Sequence, residues 1–84
     1  MIKWRATCKT VKANGEKTVF YRGDGTDYRI ESRIRWIQNN KNNGRRLFTT
    51  YVVLRPAEDD ADHVEAEKYS LADAKNFVEE MTNG

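Results

Sequence analysis

Between Tyr28 and Trp36 the chain alternates without a break. Tyr28, Ile30, Ser32, Ile34 and Trp36 share one parity, and Arg29, Glu31, Arg33 and Arg35 share the other. A helix would scatter these arginines around its circumference, whereas a strand stacks them on one side. This period of two predicts a strand with one apolar and one charged face. Such a strand needs a sheet around it, a cover over its apolar side, and water on the other side.

The flanking segments supply the sheet. Ile2, Trp4, Ala6 and Cys8 alternate with Lys3, Arg5, Thr7 and Lys9, predicting a first strand of the same character. Asn14-Gly15 provides the left-handed residues of a hairpin turn into a second strand over Lys17–Arg22, which Gly23-Asp24-Gly25-Thr26 breaks. A polar loop, Asn39-Asn40-Lys41-Asn42-Asn43-Gly44, joins the third strand to a fourth over Arg46–Leu54. That segment is rich in β-branched and aromatic residues, carries apolar side chains on both parities, and stops at Pro56. Which of its sides faces inward stays open.

The cover comes from the C-terminus. Ser70 followed by Asp73 resembles a capping box, and Leu71, Ala74, Phe77, Val78 and Met81 recur at three- and four-residue steps. The spacing predicts a helix over 70–81. Between the strands and the helix, 57–68 reads as an acidic connection with a short helical turn about His63–Glu67. Ala57–Lys68 has a disordered composition. The expected architecture is α+β: a single domain, 1–84, with a four-stranded antiparallel β-meander over 2–55 packed on one face by a single C-terminal helix. Trp4, Cys8, Ile30, Ile34 and Trp36 would lie beneath that helix, while Tyr21 and Tyr51 are left unplaced.

Charge follows the same division. Residues 1–55 hold 13 Lys/Arg against four acids, a net of +9, and residues 56–84 hold two lysines against nine acids, a net of −7. The near-neutral total of +2 hides a dipolar chain. The wet sheet face would carry Lys3, Arg5, Lys9, Arg29, Arg33 and Arg35, with Glu31 as its main counter-charge and the acidic connection on the opposite side. Arginine's planar fork suits phosphates and guanine edges, so this face is a candidate nucleic-acid surface. The competing reading is a solvated face whose cations block edge-to-edge pairing. The 39–46 hairpin tip adds Lys41, Arg45 and Arg46 among its asparagines; turn chemistry alone also explains asparagine there.

Other chemistries find little support. Glu58, Asp59, Asp60, Asp62, His63, Glu65 and Glu67 lack the glycine and spacing of a calcium loop, and one histidine without a cysteine partner argues against zinc. Cys8, the sole cysteine, sits in the apolar register and is expected to be a buried, inert thiol. No nucleophile, base and orienting group occur as a set, and Gly23-Asp24-Gly25 lacks the lysine and helix of a phosphate loop. No catalytic, metal or cofactor site is expected. One cysteine, no signal peptide and no bilayer-length apolar run fit a whole small cytoplasmic protein with no membrane partner.

Lys3-Trp4-Arg5-Ala6, the short strands, and Tyr69-Ser70-Leu71-Ala72-Asp73-Ala74-Lys75-Asn76-Phe77-Val78 resemble the sheet-plus-helix DNA-binding modules of the AP2 and integrase arm-binding type. The chain is also similar to small phage-encoded proteins. The resemblance implies a three-stranded sheet lying in a DNA major groove with the helix behind it. Arg5, Arg29, Arg33 and Arg35 would then occupy DNA-facing positions. The third and fourth strands are longer than in that pattern, and the acidic insertion before the helix departs from it. The function expected is a non-enzymatic nucleic-acid-binding accessory protein of a phage or prophage, with DNA ahead of RNA. The alternative is a protein-binding inhibitor or adaptor acting on a host nucleic-acid enzyme.

Overall fold

A computed structural model describes residues 2–39, 44–56 and 62–83. Its strands are β1 (Lys3–Val11), β2 (Lys17–Asp24), β3 (Arg29–Asn39), β4 (Gly44–Pro56) and β5 (Asp62–Lys68), followed by the helix α1 (Leu71–Asn83). The strands form one antiparallel sheet in the order β1-β2-β3-β4-β5, and α1 packs on it. The α+β meander with a C-terminal helix is therefore as expected, with five strands in place of four.

The added strand lies in the acidic connection. A helical turn was expected about His63–Glu67; instead those residues pair with β4, Val53 opposite Ala66 and Arg55 opposite His63. Backbone pairing to a long, apolar neighbour overrides the poor strand composition of this segment. Ala57 to Ala61, with Glu58, Asp59 and Asp60, lie outside the described residues, as do Asn40 to Asn43 of the hairpin tip.

Register assigns the faces. Directly opposed residues of antiparallel strands share a side. Trp4, Gly23, Tyr21, Ile30, Val53 and Ala66 therefore lie on the helix side. There Ile30, Val53, Ala74 and Val78 are fully buried, with Tyr28 beside them and Trp4, Tyr51, Leu71 and Phe77 packed around. The inward parity of β4 is thus the odd one: Leu47, Thr49, Tyr51 and Val53. Gly23 is required by this packing, since a Cβ there would stand 2.8 Å from Ile2 Cγ2 and 3.1 Å from the Trp4 ring.

Local chemistry fixes the ends. Gly15 and Gly25 adopt φ of +94° and +83°, the left-handed region that both turns need. Ser70 caps α1, its Oγ accepting from the Asp73 N–H at 3.1 Å. The helix starts where expected and runs to Asn83, past 81; Met81, expected on its apolar stripe, is about half exposed. At the other hairpin, Glu16 continues the β2 ladder with a side chain. Its carboxylate accepts from the Trp36 N–H at 3.2 Å, where Glu16 is one residue and Trp36 two residues beyond the last β2–β3 pair, Lys17 and Ile34. The Trp36 indole Nε1–H donates to the Asn14 carbonyl at 2.7 Å, clasping the turn to β3.

The helix spans part of the sheet. The molecule extends 44 × 25 × 24 Å, while thirteen helical residues reach about 20 Å. Trp36 lies beyond α1 and is 39% exposed, so it is not the core residue its parity predicts.

Candidate nucleic-acid interface

The side of the sheet without α1 is built in rungs. Arg5, Arg22 and Arg29 stand side by side across β1, β2 and β3, and the rung continues into Leu54 and Val64. The next holds Phe20, Glu31, Val52 and Glu67, and the one after it Thr18, Arg33 and Thr50. Arg35 then pairs with Phe48, and Ile37 with Arg46. Lys3 opposes Asp24 at the near end.

Of the residues singled out from sequence, Lys3, Arg5, Arg29, Arg33, Arg35 and Arg46 come together here. Lys9 does not. Register shifts between Ala6 and Cys8, so the bulge at Thr7 inserts one residue and reverses the parity of the rest of β1. Lys9 moves to the helix side opposite Val19, and Cys8 moves to the open side opposite Phe20, where it is an exposed free thiol and not a buried one. Arg45, opposite Gln38, also lies on the helix side. Lys41 falls outside the described residues.

Carboxylates reach this side as well, contrary to the expected segregation. The Arg5 Nη2 lies 2.8 Å from Asp24 Oδ1, and Arg33 Nη2 lies 2.8 Å from Glu31 Oε2. Arg29 on β3 pairs with Asp62 on β5, reaching across β4. Because β5 belongs to the sheet, it brings Asp62 and Glu67 to the face the acidic segment was expected to avoid. The hydrogen bond that Arg33 donates to the Glu31 carboxylate is the main cause that pushes the Arg33 guanidinium above its ordinary pKa, so it stays charged. Arg35 is occupied otherwise, donating to the Lys17 carbonyl at 2.9 Å and Thr18 Oγ1 at 2.7 Å. Lys3, Arg22 and Arg46 make no ion pair among the described residues.

Aromatic rings complete the face. Phe48 and Tyr69 meet edge to face, centroids 5.8 Å apart, and the Arg46 guanidinium stands 5.6 Å over the Phe48 ring. Tyr69 is 70% exposed. Sequence reasoning missed Arg22, Phe48 and Tyr69. For Arg22 the signal was present, since Thr18, Phe20 and Arg22 share a parity; for Tyr69 there was none, because its placement depends on β5.

Among the described residues no group of three or more His, Cys, Asp or Glu side chains is placed to hold a metal ion, and no helix is long and apolar enough to cross a membrane. No protein-family model, curated protein or solved structure matches this chain.

Proposed function

We propose that the open face of the sheet binds nucleic acid, and that the protein acts as a non-enzymatic accessory factor. The observation that carries this reading is the interleaving of cations with aromatic rings on the uncovered side: Arg46 over Phe48, Tyr69 exposed beside it, and the Arg5–Arg22–Arg29 rung beyond. Cations tracking a backbone beside rings that stack on bases are the two elements of sequence-tolerant strand binding. Arg22, Arg46 and Lys3 would meet phosphates first. Arg5, Arg29 and Arg33 would exchange their carboxylate partners for phosphate. DNA is placed ahead of RNA by the sheet-plus-helix resemblance, not by the face.

The test is a fluorescence-anisotropy titration with labelled single- and double-stranded DNA and RNA at two salt concentrations. Affinity should fall with salt at a log–log slope of about −0.7 per phosphate contact on single strands and about −0.9 on duplex. Arg22→Glu with Arg46→Glu should abolish binding at moderate salt, and Tyr69→Ala should cost about 1–3 kcal/mol on single strands alone. Absence of binding at low salt, or binding indifferent to salt, refutes the reading.

The carboxylates favour a second reading. Asp24, Glu31 and Asp62 already neutralise three of the arginines, leaving a mixed-charge surface suited to a protein. An inhibitor or adaptor of a host nucleic-acid enzyme would form a saturable protein complex and bind no free nucleic acid.

A further inference from the structure

A line of cations and one aromatic ring crosses the helix side of the sheet, on the face opposite Arg46 and Phe48. The register sets it out. Lys9 on β1 lies in the rung of Ser32, Lys17 on β2 in the rung of Ile34, Trp36 on β3 in the next rung, and Arg45 on β4 in the rung of Gln38. Each step moves one strand across and two residues along, about 8 Å. The order is therefore cation, cation, ring, cation on an even diagonal. The bulge at Thr7 completes the line, since it is what turns Lys9 to this side.

The ring is held in place and its polar atom is already satisfied. Trp36 donates its indole N–H to the Asn14 carbonyl at 2.7 Å and its backbone N–H to Glu16 at 3.2 Å. It is nevertheless 39% exposed, and Leu47 opposite it on β4 is 43% exposed. With the N–H engaged, the indole offers a ligand its carbon surface, and a ring ordered beforehand loses little freedom on binding. None of Lys9, Lys17 and Arg45 is in an ion pair among the described residues. Glu16, beside Lys17 in the chain, is engaged by Asn14, Trp36 and Lys12. Unlike Arg5, Arg29 and Arg33 on the open face, these cations have no carboxylate to release before they meet an anion.

We propose that this diagonal is a second stacking track and that its ligand is single-stranded nucleic acid. A base would lie on Trp36, with Leu47 widening the apolar floor, while Lys17 and Arg45 hold phosphates on either side and Lys9 holds the next one. Alternating cation and ring match a polymer that alternates phosphate and base. The proposal rests on the nucleic-acid reading above and narrows it to single strands. Cations and rings occupy both sides of one sheet; a rigid duplex lies against one side at a time, whereas a flexible single strand can pass from one to the other.

Titration with oligothymidylate tests it, because a base stacked on an indole quenches its emission. The wild type should lose tryptophan emission as the oligomer binds, and Trp36→Phe, which retains Trp4, should not. By anisotropy, Trp36→Leu should bind about 10-fold more weakly, and Trp36→Phe should recover most of that loss. Phenylalanine keeps a ring but not the N–H to Asn14, so a tryptophan serving the turn alone would make the two variants equal. Lys17→Ala with Arg45→Ala, outside that clasp, should lower the log–log salt slope on single strands by about 1.4. A duplex hairpin should bind at least ~10-fold more weakly than the oligomer. Circular dichroism checks that each variant folds. Binding with unchanged emission, Trp36→Leu as tight as wild type, equal losses in the two Trp36 variants, an unchanged salt slope, or a duplex bound as tightly as the single strand overturns the proposal and leaves the open-face reading standing. Absence of binding to either nucleic acid at low salt removes both, and polyglutamate binding in their place would assign the track to an acidic protein.

Discussion

On one side of the sheet, Ile30 and Val53 are fully buried beneath Ala74 and Val78 of α1. On the other, their neighbours Val52 and Leu54 are 3% and 5% exposed although α1 lies on the far side. The first pair is covered by an element placed for the purpose. The second is flanked by long charged side chains: Arg29 and Glu31 on β3, Glu67 on β5, and the Arg29–Asp62 pair drawn across β4 over Leu54. Aliphatic stems of charged residues exclude water while their heads remain in it. A face that reads as polar in sequence can therefore hold a thin second core, and its arginines have a packing role beside any binding role.

The comparison breaks most visibly on large-to-small substitutions. Ile30→Ala should cost about 2–5 kcal/mol, and Leu54→Ala about 2–3 kcal/mol, because flexible stems collapse into the space more readily than a docked helix does. Urea unfolding measures both, and a cost below ~1 kcal/mol for Leu54→Ala would remove the second core. Next comes the cover itself. Arg29 is 40% exposed along its side chain, so its ion pair contributes at most about 1 kcal/mol after screening by water. Arg29→Met, which keeps the stem, should recover most of what Arg29→Ala loses. Equal losses in the two variants would assign the contribution to charge and not to cover.

The smallest effect sharpens the contrast at the turn between β1 and β2, where neither device operates. The Asn14 side chain, then the Trp36 N–H, hold the Glu16 carboxyl below its ordinary value of 4.5. A depressed carboxyl stabilises the fold fully above its unfolded pKa, and that contribution is lost as pH falls through the depressed folded value. The Trp36 amide and indole resonances should therefore shift in acid below about pH 4.5, and Glu16→Gln should remove that titration. An unchanged titration in the variant would place its origin elsewhere.

Much of this was legible in the chain. The alternation through β3, the Asn14-Gly15 and Gly23–Thr26 turns, and the Ser70 cap are local signals, and each element they mark is where they put it. What escaped was non-local. β5 has Val64 and Ala66 as its only apolar residues, and it is a strand because β4 offers it a backbone edge. The bulge at Thr7 leaves one trace, the odd-numbered Val11 after an even apolar run, and without it Lys9 and Cys8 were assigned to the wrong sides. The candidate face suffered most from this, since one inserted residue moves side chains across the sheet and one unrecognised strand brings carboxylates to it.

Strand order in this sheet is sequence order, each strand beside the one before it. Every strand pairing is therefore closed by a connection between immediate neighbours in the chain, and none has to wait for a distant segment to arrive. Loop-closure entropy grows with the length of chain enclosed, so the costliest closure in this protein is the one that brings Ala74 and Val78 back to Ile30. The sheet can zip hairpin by hairpin, and docking of α1 on β3 encloses the longest stretch of chain among the element contacts.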